Sequence, residues 1–234
     1  ACWRWRRCCT QAAGRGGGPM VQVFQGDGTL IAQWFAYSES LRTGVKVAVG
    51  DLDADGKAEI ITGVGAGGGP QVRVFNADGT SKYGAGWFAF DSSFRGGCDV
   101  TVGDFNGDGK AEIAAAAGPG GSPHVRVFSR KGKFLGTEFR PFADDNTGGV
   151  SLATANVDGG DDDELVMAIQ SAGEAWVKTY KNNGTILGEW KSFDDLYSGL
   201  AIGVGDINDD GKDEVAVTPR QSAGSHVLWY KGNG

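Results

Sequence analysis

Histidine, methionine and proline are scarce in this chain: 234 residues hold two His, two Met and six Pro. His124 and His226 supply all the imidazole, and they stand at equivalent places in two similar strings, SPHVRVF and GSHVLWY. A residue that recurs within a pattern belongs to the architecture, so neither is expected to act as a base or a ligand. The G-x-S-x-G elbow of hydrolase nucleophiles is missing. The glycine-rich links GAGGGP (65–70) and GPGGSP (118–123) lack the following helix or the G-K-[ST] ending of a phosphate cradle. No catalytic residue is assigned, and the segment is not expected to be an enzyme.

Long apolar runs are missing too. None approaches the roughly 18 residues of a membrane-spanning helix, and no basic, apolar, small-residue leader is present. Positive charge is not in surplus: the formal net charge is −7, which argues against nucleic acid as a partner. Of four cysteines, Cys2, Cys8 and Cys9 lie in the first nine residues and Cys98 stands apart, so no disulfide framework is inferred. Residues 1–18, with Trp3, Trp5, Arg4, Arg6 and Arg7, are set apart as a disordered tail outside the fold; a Trp/Arg membrane-surface peptide is its functional alternative.

What the chain has in quantity is glycine, 41 residues, and acid arranged in a pattern. DLDADGKAE (51–59) returns as DFNGDGKAE (104–112), NVDGGDDDE (156–164) and DINDDGKDE (206–214), at steps of 53, 52 and 50 residues. Each string sits at the same place in a longer unit. An alternating stretch precedes it (VKVAVGD, DVTVGD, VSLATAN, LAIGVGD), with the period of two of a half-buried strand. A nearly all-apolar strand follows (EIITGVG, EIAAAAG, ELVMAIQ, EVAVTPR), the pattern of burial on both faces. A link then leads to a β-branched third strand (PQVRVF, PHVRVF, AWVKTY, SHVLWY), a tight turn such as NADGT or KNNGT, and an aromatic fourth strand (WFAY, WFAF, FRPF, WKSF). Four antiparallel strands in about 50 residues, repeated, predict β-propeller blades, because one such sheet cannot cover both its faces and must stack on a neighbour.

The spacing of the acidic strings sets their chemistry. In D-x-D-x-D-G-K-x-E, side-chain oxygens recur at positions one, three, five and nine, around a turn eased by glycine. A hard cation such as Ca²⁺ takes about six to eight oxygens from carboxylates, a backbone carbonyl at position seven, and water. An EF-hand is excluded, since its position-twelve glutamate is replaced by Thr62, Ala115, Met167 and Val217, all within strands. Three sets are read as competent: Asp51, Asp53, Asp55 and Glu59 with the Lys57 carbonyl; Asp104, Asn106, Asp108 and Glu112 with that of Lys110; and Asp206, Asn208, Asp210 and Glu214 with that of Lys212. The third string is degenerate. It keeps Asn156, Asp158 and Glu164 but places Gly160 at position five, with Asp161 displaced by one and Asp162 beside it, so weak or no binding is expected there. The bland alternative is a set of solvated turns held by aspartate-to-backbone hydrogen bonds. Affinities of about 10⁻⁴ to 10⁻³ M, typical of extracellular modules, are expected.

The run VAVGDLDADGKAEIITGVGAGGGPQVRVFNADGT resembles the FG-GAP (VCBS-type) repeat, the blade unit of integrin α-subunit propellers and of many secreted bacterial proteins. The resemblance covers residues 19–234. It implies Ca²⁺ in the hairpin between first and second strands, an extracellular or cell-surface setting, and a scaffold for protein binding or adhesion with a protein or glycan ligand. A carbohydrate-binding or accessory segment of a larger extracellular enzyme, of polysaccharide lyase or phosphodiesterase type, is the alternative.

Complete blades are placed at 43–95, 96–148 and 149–197, with partial blades at 19–42 and 198–234. An arc of a larger, seven-bladed ring is the preferred expectation. The alternative is a closed five-bladed ring, in which the C-terminal strands accept the N-terminal WFAY strand. Trp34/Phe35 and Trp87/Phe88 are expected to fill space between blades rather than stack a sugar, and Arg73 and Arg126 to lie on a solvated face or in ion pairs.

Overall fold

The computed structural model describes residues 8–194, 196, 198–220 and 226–234. Cys2 and the Trp3–Arg7 cluster lie outside the described residues. The described chain is all-β, and it folds as five antiparallel sheets, the blades of a five-bladed propeller.

Blade I holds β1 (Cys8–Ala12), β2 (Met20–Gln25) and β3 (Leu30–Phe35). Blade II holds β4 (Val45–Gly50), β5 (Glu59–Val64), β6 (Gln71–Phe75) and the short β7 (Trp87–Phe88). Blade III holds β8 (Cys98–Gly103), β9 (Glu112–Ala117), β10 (Val125–Phe128) and β11 (Phe134–Phe139). Blade IV holds β12 (Val150–Ala155), β13 (Glu164–Ile169), β14 (Trp176–Tyr180) and β15 (Ile186–Lys191), and blade V holds β16 (Leu200–Gly205), β17 (Glu214–Pro219) and β18 (Leu228–Tyr230).

The count of five is that of the five-bladed alternative rather than of the preferred arc, and it is reached by a different route. The WFAY strand stays with its own sheet: β3 pairs β2, with Trp34 opposite Val21. Blade I gains its third strand instead from the segment set apart as a tail, where Cys8–Ala12 pairs β2 antiparallel from Cys8 opposite Gln25 to Ala12 opposite Val21. Nothing in the periodicity marks CCTQA as a strand, because it lacks the apolar character of the second strands it replaces.

The second strands behave as their composition requires. Every residue of β5, β9 and β13 is buried, since each runs mid-sheet between two neighbouring blades. Apolar clusters fill the junctions of consecutive blades: Val21, Val23, Val45 and Ile60 between I and II; Leu52, Val72, Val100 and Ile113 between II and III; Val125, Val150, Leu165 and Met167 between III and IV; Val166, Val177, Leu200 and Val215 between IV and V. Among the described residues no such cluster joins blade V to blade I. Among the described residues nothing lies against Gly203 and Gly205 of β16, whereas a methyl at Gly50 would strike Val102 and one at Gly103 would strike Thr154.

Of the aromatic pairs expected to fill space between blades, the tryptophans do so and the phenylalanines do not. Trp34 packs on Phe75 of the next blade at 5.6 Å and Trp87 on Phe128 at 6.0 Å, each indole lying over a turn glycine, Gly79 or Gly132. Phe35 and Phe88 are exposed. Arg73 and Arg126 reach back to the preceding blade, donating to the carbonyls of Ala36 at 2.5 Å and Ala89 at 3.3 Å. Arg126 also pairs with Glu138, so these arginines are blade-to-blade ties more than solvated surface.

Candidate metal centres

The four acidic strings form the bends between the first and second strands of blades II to V. Each first-position side chain acts as a hub for its own loop. Asp51 accepts the N–H groups of Asp55 at 3.2 Å and Gly56 at 2.8 Å. Asp104 does the same for Asp108 at 3.1 Å and Gly109 at 2.7 Å, and Asp206 for Asp210 at 3.1 Å and Gly211 at 2.9 Å. The fifth-position acids Asp55, Asp108 and Asp210 accept the N–H of Lys57, Lys110 and Lys212 at 2.8, 2.9 and 2.9 Å. Such tight bends require the left-handed backbone, and Gly56, Gly109 and Gly211 supply it with φ of 82°, 81° and 86°.

The ninth-position glutamates open the second strands and turn inward. Glu59, Glu112, Glu164 and Glu214 are all buried. Each uses Oε2 to accept the N–H of the residue after the loop's first position: Leu52 at 2.9 Å, Phe105 at 3.2 Å, Val157 at 2.9 Å and Ile207 at 3.0 Å. That leaves Oε1 directed to the bend. The glutamate is thus both a clamp on the hairpin and one wall of an oxygen-lined cage.

What faces that wall differs among the loops. At 51–59, ligand atoms of Asp51, Asp53 and Glu59 lie within 4.8 Å of one another, a cluster that could hold a metal ion. The Lys82 ammonium already lies against it, 2.8 Å from Asp53 Oδ2 and 2.6 Å from Glu59 Oε1. The carboxyl of Asp53 is accordingly held below its ordinary range, first by the Lys82 hydrogen bond. Its Oδ1 is buried without a partner.

At 104–112, Asn106 Oδ1 accepts the Asp108 N–H at 2.9 Å, and none of the described ion pairs reaches Asp104, Asp108 or Glu112. Burial, followed by the charges of Asp108 and Asp104, pushes the Glu112 carboxyl up to about 7. At 206–214, Asn208 Oδ1 accepts the Asp210 N–H at 2.9 Å and its amide donates to Glu214 Oε1 at 2.7 Å.

The degenerate loop is built otherwise. Asn156 accepts the Gly159 N–H at 2.8 Å and turns its amide to the Gly160 carbonyl at 2.8 Å, so its donor face lies where the other hubs present oxygen. Lys181 reaches Asp158 at 2.7 Å, Asp162 at 3.4 Å and Glu164 at 3.5 Å. Burial raises the Glu164 carboxyl, whereas the Lys181 hydrogen bond lowers that of Asp158. Asp161 is exposed.

By residue type the sets at 104–112 and 206–214 offer oxygen at positions one, three, five and nine, and none of the described ion pairs brings an ammonium to them; at 206–214 the Asn208 amide holds Glu214 Oε1. The set at 51–59 fits in atom type and spacing but holds an ammonium. The set at 156–164 does not fit. Sequence reasoning identified the acids and missed both lysines, which come from outside the strings.

The His124 ring lies 5.6 Å from Phe90 of the preceding blade, and its Nε2 is 3.0 Å from Glu138. Cys9 and Cys98 are free thiols.

The FG-GAP repeat family matches residues 43–83 and 99–129, so blades II and III carry FG-GAP repeats. No curated protein sequence matches the chain. Among solved structures, rhamnogalacturonan lyase YesW is similar at 17% identity and a TM-score of 0.51, over 91% of this chain and 54% of that one. The PL11 rhamnogalacturonan lyase of Bacillus licheniformis gives 18% identity and 0.52, over 97% and 55%. A protein of unknown function from Bacteroides caccae gives 15% and 0.52, over 95% and 71%. The chain therefore spans about half the length of the two lyases, and at these identities the likeness is one of fold.

Proposed function

We propose that this FG-GAP-repeat propeller is a calcium-stabilised, non-catalytic binding module of a secreted or cell-surface protein, presenting its blade loops to a protein or glycan ligand. The observation that carries the calcium reading is the repeated cage. In the 104–112 and 206–214 loops, the first-position aspartate gathers two peptide N–H groups at 2.7 to 3.1 Å, and a buried glutamate clamps the same hairpin. Crowded carboxylates repel each other, and a divalent ion removes that repulsion, so binding and stability are linked. Affinities of about 10⁻⁴ to 10⁻³ M, the range expected of extracellular modules, would suit a calcium-rich exterior. Titrating calcium into chelator-treated protein should release or absorb heat and raise the melting temperature. No heat, together with melting indifferent to EDTA, would remove the reading.

The likeness to two rhamnogalacturonan lyases supports a second reading, in which the chain is part of an extracellular polysaccharide-cleaving enzyme. Incubation with rhamnogalacturonan, followed by ultraviolet absorbance of unsaturated sugar products, tests it; growth of that absorbance would replace the non-catalytic reading.

A further inference from the structure

Lys82 and Lys181 occupy different places in the repeat and arrive at the same place in space. Aligned on the end of the third strand, Lys82 corresponds to Leu135 and Leu187, while Lys181 corresponds to Asn76 and Ser129. Yet Lys82 bridges Asp53 and Glu59, and Lys181 bridges Asp158 and Glu164, which are the third- and ninth-position acids of their loops. Two lysines from different places in the repeat thus put an ammonium at one point of the cage. In blade III both places are uncharged, Ser129 and Leu135, and none of the described ion pairs reaches the acids of 104–112. In blade V, Lys231 aligns with Lys181 but is exposed, and no described ion pair joins it to Asp206, Asp210 or Glu214.

The tightest cage has a cation within it. Ligand atoms of three acids converge to within 4.8 Å only at 51–59 among the described residues, where Lys82 lies between two of them. A compact group of carboxylates needs a positive charge inside it, and here the chain supplies one. An ion bound to Glu59 Oε1 and Asp53 Oδ2 would have to displace that ammonium, because the same oxygens cannot serve both.

We propose that Lys82 and Lys181 are built-in counter-cations that take the place of a divalent metal in the first and third acidic loops, leaving metal binding to the second and fourth. The proposal rests on the calcium reading above and divides the four loops into two permanently neutralised and two metal-dependent ones. Blades II and IV then keep their hairpins closed without calcium, and blades III and V do not.

The test uses the whole chain and four proteins: wild type, K82M, K181M and K131M. The last removes an exposed lysine outside the acidic loops and serves as the charge control. Equilibrium dialysis with calcium should give K82M about one more bound equivalent than wild type, and K181M none, because Asn156 and Gly160 leave its loop short of ligands. In EDTA, K82M and K181M should melt about 5 °C or more below wild type and K131M, since each variant leaves a buried glutamate without its cation. Saturating calcium should restore K82M but not K181M. Equal stoichiometry in K82M and wild type, or K82M melting with K131M in EDTA, overturns the proposal. Calcium uptake by none of the proteins overturns the calcium reading instead, and the melts in EDTA then decide on the lysines alone.

Discussion

The side chain of Asp163 accepts a hydrogen bond from the Asp104 N–H at 2.8 Å, while the Asp163 N–H donates to the Asp104 carbonyl at 2.8 Å. The pair closes a two-bond clasp from blade IV onto the first residue of the acidic loop of blade III. Asp213 and Asn156 repeat it from blade V to blade IV, at 2.9 and 2.7 Å. At the junction before these, the corresponding residue is Ala111, so no side-chain clasp can form. Asp163→Ala leaves the Asp104 amide without its acceptor and should cost about 1 to 3 kcal/mol in urea unfolding. Asp163→Asn, which keeps an acceptor oxygen, should recover part of that loss.

Glu112 gives the calcium-free protein a pH dependence. Its folded pKa, about 7, is above the ordinary glutamate value because of burial and the neighbouring Asp108 and Asp104 charges. A raised carboxyl contributes stability that is complete below its unfolded pKa and is lost as pH rises through its folded one. In EDTA the melting temperature should therefore fall between about pH 5 and pH 8, and Glu112→Gln should flatten that decline. Calcium binding should release a proton near neutrality, read as a buffer-dependent heat.

Tyr37 is the one tyrosine among the residues closing the fourth strands, where Phe90, Phe142 and Phe193 stand in the other blades. Its hydroxyl lies 3.0 Å from the Thr62 carbonyl and 2.9 Å from the Gln71 carbonyl, which compete for its single proton, and 3.0 Å from the Thr62 hydroxyl, tying blade I to blade II. Burial, then the nearby Cys98 thiol, raises its ionisation far above the ordinary phenol range. That contribution is complete below about pH 10, the unfolded phenol value, and is lost only at higher pH. Tyr37→Phe should cost about 1 to 2 kcal/mol. In a spectrophotometric titration, one of the five tyrosines should ionise only as the protein unfolds.

Gly44, Gly97, Gly149 and Gly199 stand before the first strands of blades II to V with φ of 77°, 68°, 76° and 77°. A methyl group at Gly97 would lie 2.3 Å from the Val64 carbonyl, and one at Gly199 2.4 Å from Gln170 backbone. Gly97→Ala combines positive-φ strain with a backbone clash and should destabilise by about 2 to 4 kcal/mol, measured by urea unfolding, or prevent folding.

Much of this was legible in the sequence for a physical reason: alternation, spacing and turn chemistry are local, and the repeat averages them over four copies. The strand order, the buried second strands, and the hubs Asp51, Asp104 and Asp206 follow from such signals. Lys82, Lys181, Asp163 and Tyr37 do not, because each acts across a turn or a blade boundary on a partner its own neighbours in sequence do not name. The strand at Cys8–Ala12 was hidden for a related cause: its place is fixed by the unpaired edge of β2, not by any pattern of its own.

The junction of blades V and I, where among the described residues Gly203 and Gly205 meet no neighbour, sets the order in which the molecule should come apart. Each other joint is sealed by interlocked apolar side chains; among the described residues this one is not. Amide hydrogens of β16 and β1 should exchange soonest, with protection climbing towards β9 and β13 on the far side, so that loss of structure advances inwards from the seam as two fronts.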